Sequence, residues 1–261
     1  MSKAKIFGMV HVQALPGTPK HENSLSKIYQ KALAEAQVYY DNGLAGIIIE
    51  NMHDIPYQNR SVGPEITATM TVVARALRNK FPEWTIGVQV LAGANKEALA
   101  IAHSCGLDFI RAEGFVYGHL ADEGYIDADA GELLRYRKMI GADQVKVYCD
   151  IKKKHAAHAL TNDLGIDEIA KAAKFFLADG LIITGSATGE EASVDELNIL
   201  NQSNLELPIL IGSGISAENV SLYVSKADFL IVGSSFKKDS FWSNDIDEER
   251  VKRFMDIVRG L

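Results

Sequence analysis

Eight short apolar runs, each followed by a connection and a helix-patterned stretch, dictate what this chain can become. The runs are Ile6–His11, Ala45–Asn51, Thr85–Leu91, Asp108–Glu113, Gln144–Asp150, Gly180–Thr184, Ile209–Ile211 and Phe229–Val232. Helical periodicity fills Ser24–Tyr40, Glu65–Asn79, Lys96–Ser104, Ala130–Ile140, Asp167–Ala178, Val194–Asn201, Glu218–Val224 and Asp247–Val258. The first of these carries Leu25, Ile28, Tyr29, Ala32, Leu33, Ala36 and Tyr40 on one stripe, the spacing of a helix packed along one side. Strands alternating with helices predict a parallel sheet. Eight repeats favour a closed (β/α)8 (TIM) barrel over an open doubly wound sheet, and 261 residues suit one such domain spanning 1–261. Asn42-Gly43, Cys105-Gly106, Ile140-Gly141 and Asp179-Gly180 fall where helices should end in a left-handed cap.

The last two runs lead directly into small-residue turns, Gly212-Ser213-Gly214 and Gly233-Ser234-Ser235. Glycine lets backbone N–H groups approach an anion closely, and a following helix start points more of them at the same place. A pair of such turns after strands 7 and 8 is where barrel enzymes hold phosphate. Gly212, Ser213, Gly214, Gly233, Ser234 and Ser235 are therefore the candidate phosphate-binding residues. Thr184-Gly185-Ser186-Ala187-Thr188-Gly189 is a third small-residue loop, which either completes the cradle or makes room for a large substrate. Lys237 either adds a charge there or lies on the rim.

Side chains alternate along a strand, and in a helix-wrapped barrel the outward set must be apolar. Val145, Val147 and Cys149 share one parity and Lys146, Tyr148 and Asp150 the other, so the polar set should face inward. The same rule turns His11, Gln13, Glu50, Gln89, Arg111, Glu113 and Thr184 into the barrel. His11, Glu50, Arg111, Glu113, Lys146 and Asp150 are the candidate catalytic residues. The plainer alternative for Arg111 with Glu113, or Lys146 with Glu113, is a buried structural ion pair. Asn95 reads as a helix N-cap or a ligand contact, and Met9 and Met52 as core filler. His53, His103, His119 and His158 show no spacing that assigns them a role. The longest connections, Gln13–Asn23 and Gly114–Asp129, both follow strands and are candidate lids.

A net charge of −7 with no long basic block excludes a nucleic-acid partner. Lys152-Lys153-Lys154-His155 reads as a solvated loop or a local anion-attracting rim. Two cysteines, Cys105 and Cys149, without metal-type spacing point to a reducing compartment. No run is long enough to span a membrane, and the N-terminus has no apolar leader, so the cytoplasm is the expected location. A homo-oligomer is compatible with all of this.

Gly8-Met9-Val10-His11 with Leu15-Pro16-Gly17, then Ile49-Glu50-Asn51, Arg111-Ala112-Glu113 and the two glycine-serine turns, together resemble the BtpA family over nearly the whole chain. That family takes its name from a photosystem I biogenesis protein, yet it has members in organisms without photosynthesis, some of them associated with sugar uptake. No settled mechanism comes with the resemblance, so it assigns no catalytic residue. The C-terminal third is also similar to phosphate-binding barrel enzymes acting on ribulose phosphate or indole-glycerol phosphate. The expectation is an enzyme acting on a sugar phosphate or phosphoribosyl compound, by isomerisation or epimerisation through carboxylates, or as a carbon–carbon lyase with Lys146 as Schiff-base candidate. No cofactor is specified, although Glu50, Glu113 and Asp150 could hold a divalent metal for a lyase or hydrolase. The rival is a non-catalytic binding or assembly factor.

Overall fold

The structure is a computed structural model that describes residues 3–153, 155–185 and 190–261. Eight parallel strands close into a barrel: β1 (Lys5–His11), β2 (Gly46–Glu50), β3 (Thr85–Gln89), β4 (Phe109–Ala112), β7 (Lys146–Ile151), β9 (Gly180–Ile183), β10 (Ile209–Ile211) and β11 (Phe229–Val232). Register runs unbroken round the ring, with His11 beside Glu50 and Glu50 beside Gln89. The last strand returns to the first through Val232 beside Gly8. The helices are α1 (Leu25–Asp41), α2 (Pro64–Lys80), α3 (Asn95–Cys105), α4 (Ala130–Met139), α5 (Ile166–Phe175), α6 (Val194–Gln202), α7 (Val220–Tyr223) and α8 (Glu248–Gly260).

Two apolar layers result from strand alternation. Val10, Ile47, Ile49, Val88, Val145, Val147 and Cys149 pack outward among the helices. Phe7, Met9, Ile48, Phe109, Ile182, Leu210 and Ile231 fill the interior, with Tyr148 and Phe229 against them. The rings of Phe7 and Phe109 lie 5.7 Å apart, and those of Phe109 and Tyr148 5.0 Å apart. Gly87 makes this possible, since a Cβ there would stand 2.3 Å from the Phe109 ring. Burying each large side chain contributes about 1.5–3 kcal/mol, so the lower barrel is a solid plug and polar groups are confined to the top.

Several expectations change. Lys146 shares the inward parity of Tyr148 and Asp150, but it is the first residue of β7. Its ammonium is exposed at the opposite end of the barrel, 3.3 Å from Asp179. Four residues at about 3.3 Å each separate its level from that of Asp150. Lys146 is therefore outside the mouth and is no Schiff-base candidate. The α1 stripe is rotated: Ile28, Ala32, Glu35, Ala36 and Tyr39 are buried, whereas Leu25 and Tyr40 are exposed. Three of the four glycine caps have positive φ, but at the fourth Leu177 takes the left-handed turn (φ 66°) and Gly180 begins β9 beneath the Tyr148 ring.

The two long connections are tethered rather than loose. Asp54 accepts from the Leu15 N–H at 2.8 Å and holds the first of them. The second folds into β5 (His119–Ala121) and β6 (Gly124–Ile126), and β5 pairs with both β6 and β8 (Ala156–Ala157) in a small antiparallel sheet. Asn95 neither caps α3 nor sits at a ligand position. Its amide donates to the Glu113 carbonyl and to Asp129, while its oxygen accepts from the Glu113 N–H. Arg60 completes this clamp, reaching Asp129, the Gly114 carbonyl and the Asp127 carbonyl.

Candidate functional site

The top of the barrel holds one cleft with two lobes that share Glu50, Met52 and Arg111. The first lobe lies over β10 and β11. Met9 and Ile231 form its floor, and Gly212, Ser213, Gly214, Gly233, Ser234 and Ser235 line it. All six expected phosphate residues are thus gathered in one place. Gly214 has φ 70°, and a Cβ on it would stand 2.2 Å from the Glu190 carbonyl oxygen. No other residue type fits that position without displacing the chain. Ser234–Phe236 forms a 3-10 turn whose start carries no side-chain cap. Ser234 and Ser235 of that turn line the cleft. The helix expected after β10 over Glu218–Val224 forms only at Val220–Tyr223, so that side is backbone turn and not helix terminus. Arg250, held by Ser240 at 2.8 Å, adds a cation at the rim. Lys237 does not: it is buried under α1, 2.8 Å from Glu35. Burial lowers the Lys237 pKa and raises that of Glu35, so the pair is held together by mutual need rather than by solvent. Residues 186–189 of the third small-residue loop lie outside the described residues.

The second lobe lies over β3, β4 and β7, beneath the small sheet. Gln89, Glu113, Lys153, Glu123, Tyr57 and Trp242 line it. The ion pairing differs from either pairing expected. Arg111 is bidentate to Asp150, with contacts of 3.0 to 3.2 Å, and both are buried. Burial works against the guanidinium charge, but Asp150, Glu50 and Glu113 outweigh it and hold the Arg111 pKa up. Glu113 instead receives the Gln89 amide at 2.9 Å and the Lys153 ammonium at 3.1 Å. Lys153 is also 3.9 Å from Glu123. Burial pulls the Lys153 pKa down, yet the two carboxylates raise it further, so the ammonium stays protonated.

His11 lines the first lobe, beside the shared Glu50. Its Nδ1 lies 2.9 Å from the Trp242 carbonyl. A carbonyl only accepts, which places the proton on Nδ1 and turns Nε2 toward Glu50 at 4.0 Å. His53, which no sequence pattern singled out, packs on Trp242 with ring centroids 4.9 Å apart. Burial, with Lys31 and Lys237 nearby, lowers its pKa to about 4, so it is neutral there.

The six catalytic candidates therefore divide. His11, Glu50, Arg111, Glu113 and Asp150 converge on the mouth, and Lys146 does not. Asp150 is taken by Arg111 and Glu113 by Lys153, so the carboxylate trio is not assembled as a metal centre. Among the described residues no group of three His, Cys, Asp or Glu side chains could hold a metal ion. Tyr57, Asp122, Glu123, Glu218, Trp242 and Arg250 are among the lining residues that the sequence did not single out, and Lys153 stood out only as part of a basic run. The signal for Lys153 was the basic run, but Lys152 takes φ 54° just past β7 and breaks the alternation that would have aimed it. Lys154 lies outside the described residues.

A closed ring of parallel strands with a polar mouth at their C-terminal ends defines a (β/α)8 barrel. The chain belongs to the BtpA family, whose model matches residues 2–260. A protein of Caenorhabditis elegans, whose name carries the word mitochondrial, is 50% identical over 264 residues, covering 100% of this chain and 95% of that protein. The photosystem I biogenesis protein BtpA of Synechocystis is 32% identical, covering 97% of this chain and 87% of that protein. Phosphoribosyl anthranilate isomerase from Thermus thermophilus superposes with a TM-score of 0.58 at 12% identity, covering 98% of both chains. At that identity the likeness is one of fold alone. Among the described residues no helix is long and apolar enough to cross a membrane. Cys105 and Cys149 are both buried and unbridged.

Proposed function

We propose that this protein is an enzyme that anchors the phosphate of a small sugar phosphate or phosphoribosyl compound at the β10 and β11 turns and moves a proton on the remainder. The observation that carries this reading is the shared cleft: Ser213, Gly214, Ser234 and Ser235 line the same cavity as His11, Glu50 and Arg111. The fold neighbours named for phosphoribosyl isomerisation support the substrate class.

Acid–base chemistry is favoured over a Schiff base. A lysine nucleophile must be neutral, whereas Lys153 is kept charged by Glu113 and Glu123 and Lys146 is at the other end. Glu50 is the proposed proton carrier because it alone among the carboxylates lines both lobes. The protonated Arg111, fixed by Asp150, would polarise the oxygen next to the reacting carbon. Glu113 is proposed to hold Lys153 rather than to move the proton. In an isomerisation, Glu50 would take a proton from the hydroxyl-bearing carbon beside the carbonyl to give an enediol and return it to the former carbonyl carbon, while the hydroxyl proton passes to the former carbonyl oxygen, so that atoms and electrons balance. Cytoplasmic location belongs with these proposals.

The test is proton exchange in heavy water with ribose 5-phosphate, ribulose 5-phosphate and fructose 6-phosphate as probes, followed by proton NMR. Loss of a carbon-bound proton signal, suppressed by inorganic phosphate and absent in Glu50→Gln, is expected. No exchange with any probe, together with no protection of the protein by phosphate in thermal melts, would remove the reading. It would favour the second one, an assembly factor, for which the name of the Synechocystis relative speaks.

A further inference from the structure

The two lobes differ in charge and in what they ask of a ligand. We infer that the substrate is a phosphomonoester whose far end is an uncharged, hydroxyl-bearing ring, seated against Trp242 and Tyr57 in the lobe under the small sheet. This rests on the phosphate reading above and adds the identity of the other end.

Acceptors dominate that lobe. Gln89 must turn its Nε2 to the Glu113 carboxylate, which can only accept, so its Oε1 faces away and is buried without a donor among the described residues. Glu50, Glu113, Asp122 and Glu123 bring four carboxylates to the lobe. The cations are Arg111 and Lys153, and each is already paired with a carboxylate. A second anionic group, such as a carboxylate or another phosphate, would meet uncompensated like charge. Hydroxyls satisfy the lobe instead, because each donates one proton to an acceptor and can still accept from the Lys153 ammonium. Tyr57, Trp242 and Leu91 add apolar faces to the same wall, and aromatic faces beside carboxylates suit the apolar face and polar edge of a ring. A short acyclic sugar phosphate would fill the first lobe and leave this wall uncovered.

The chain has two tryptophans, and Trp84 is buried, with its indole N–H on the Leu44 carbonyl. In a Trp84→Phe background, Trp242 fluorescence therefore reports on this lobe alone. Titration with glucose 6-phosphate, adenosine 5′-monophosphate, 6-phosphogluconate and inorganic phosphate separates the cases. The ring-bearing monophosphates are expected to change the fluorescence and to bind at least about tenfold more tightly than 6-phosphogluconate, the value of one unfavourable charge contact. In Glu123→Gln that ratio should shrink by severalfold. The stronger of the first two probes tells a sugar ring from a nucleoside. Equal or tighter binding of 6-phosphogluconate, competed by phosphate, would overturn the inference and leave the phosphate reading standing. Binding of glucose 6-phosphate that inorganic phosphate does not compete would defeat the phosphate reading and leave the ring lobe standing. If Trp84→Phe does not fold, calorimetric titration of the unaltered protein with the same four ligands gives the same ratios.

Discussion

The two halves of the mouth are built from different materials. Over β10 and β11 the wall is backbone: Gly214 is pressed against the Glu190 carbonyl and the uncapped Ser234–Phe236 turn faces the cleft. Over β4 and β7 the wall is side chain: Arg111 locked to Asp150, and Lys153 locked to Glu113. A backbone wall tolerates exchange of its side chains but not of its glycines. A side-chain wall fails when one partner of a pair is lost, because the other is left as a buried charge.

Substitutions should therefore behave differently on the two sides. The largest effect is expected at the seam, where Glu50→Gln should lower turnover by about 10² to 10⁴ with little change in melting, the range for a lost general base. A preserved rate would remove Glu50 from the chemistry. Arg111→Met should cost roughly 3–5 kcal/mol by stranding Asp150, read by denaturant unfolding, and Asp150→Asn added to it should restore part of that loss. If the single variant were as stable as the parent, the side-chain half would not be the rigid one.

The lid base gives a pH signature. Burial, against the pull of Arg60 and Asn95, lifts the Asp129 pKa from 3.8 to about 6. Between those values the folded chain keeps a proton that the unfolded chain has lost. Stability should thus fall as pH rises from about 4 to 6, by up to about 3 kcal/mol. Asp129→Asn should flatten that slope, and an unchanged slope would assign it to other groups. On the backbone side, Gly214→Ala should cost about 1–3 kcal/mol through its left-handed φ and weaken phosphate protection. Ser234→Ala should stay within about 0.5 kcal/mol. Equal effects of the two would mean that the hydroxyl, not the turn, does the holding. Lys146→Ala is the smallest: turnover unchanged and stability within about 0.5 kcal/mol, since its partner Asp179 is an exposed contact.

That ranking follows what the chain discloses before it folds. Barrel, strand limits and the two glycine-serine turns were legible because they depend on local pattern: period-two alternation, glycine after an apolar run, eight repeats. Inward parity was legible for Asp150 and Arg111 for the same reason. Depth was not, because parity repeats every two residues and places Lys146 and Asp150 alike, although one meets solvent at the base and the other a guanidinium at the top. Partners were not legible either. Glu113 is paired by a lysine 40 positions on, in a stretch where the chain has left its strand and alternation no longer holds. Glu35 has no place in the apolar stripe of its helix, because nothing local announces that Lys237 will be driven under it.

Arg60 has a consequence for how ligands come and go. One guanidinium, on the connection after β2, ties both ends of the segment that carries β5 and β6. Any motion of that flap must pivot about a fixed hinge pin instead of melting at its root. Amide hydrogens near Gly114 and Asp129 should then exchange slowly while those at the tip near Asp122 exchange fast, and traffic through the mouth would be metered by the tip's swing and not by unfolding.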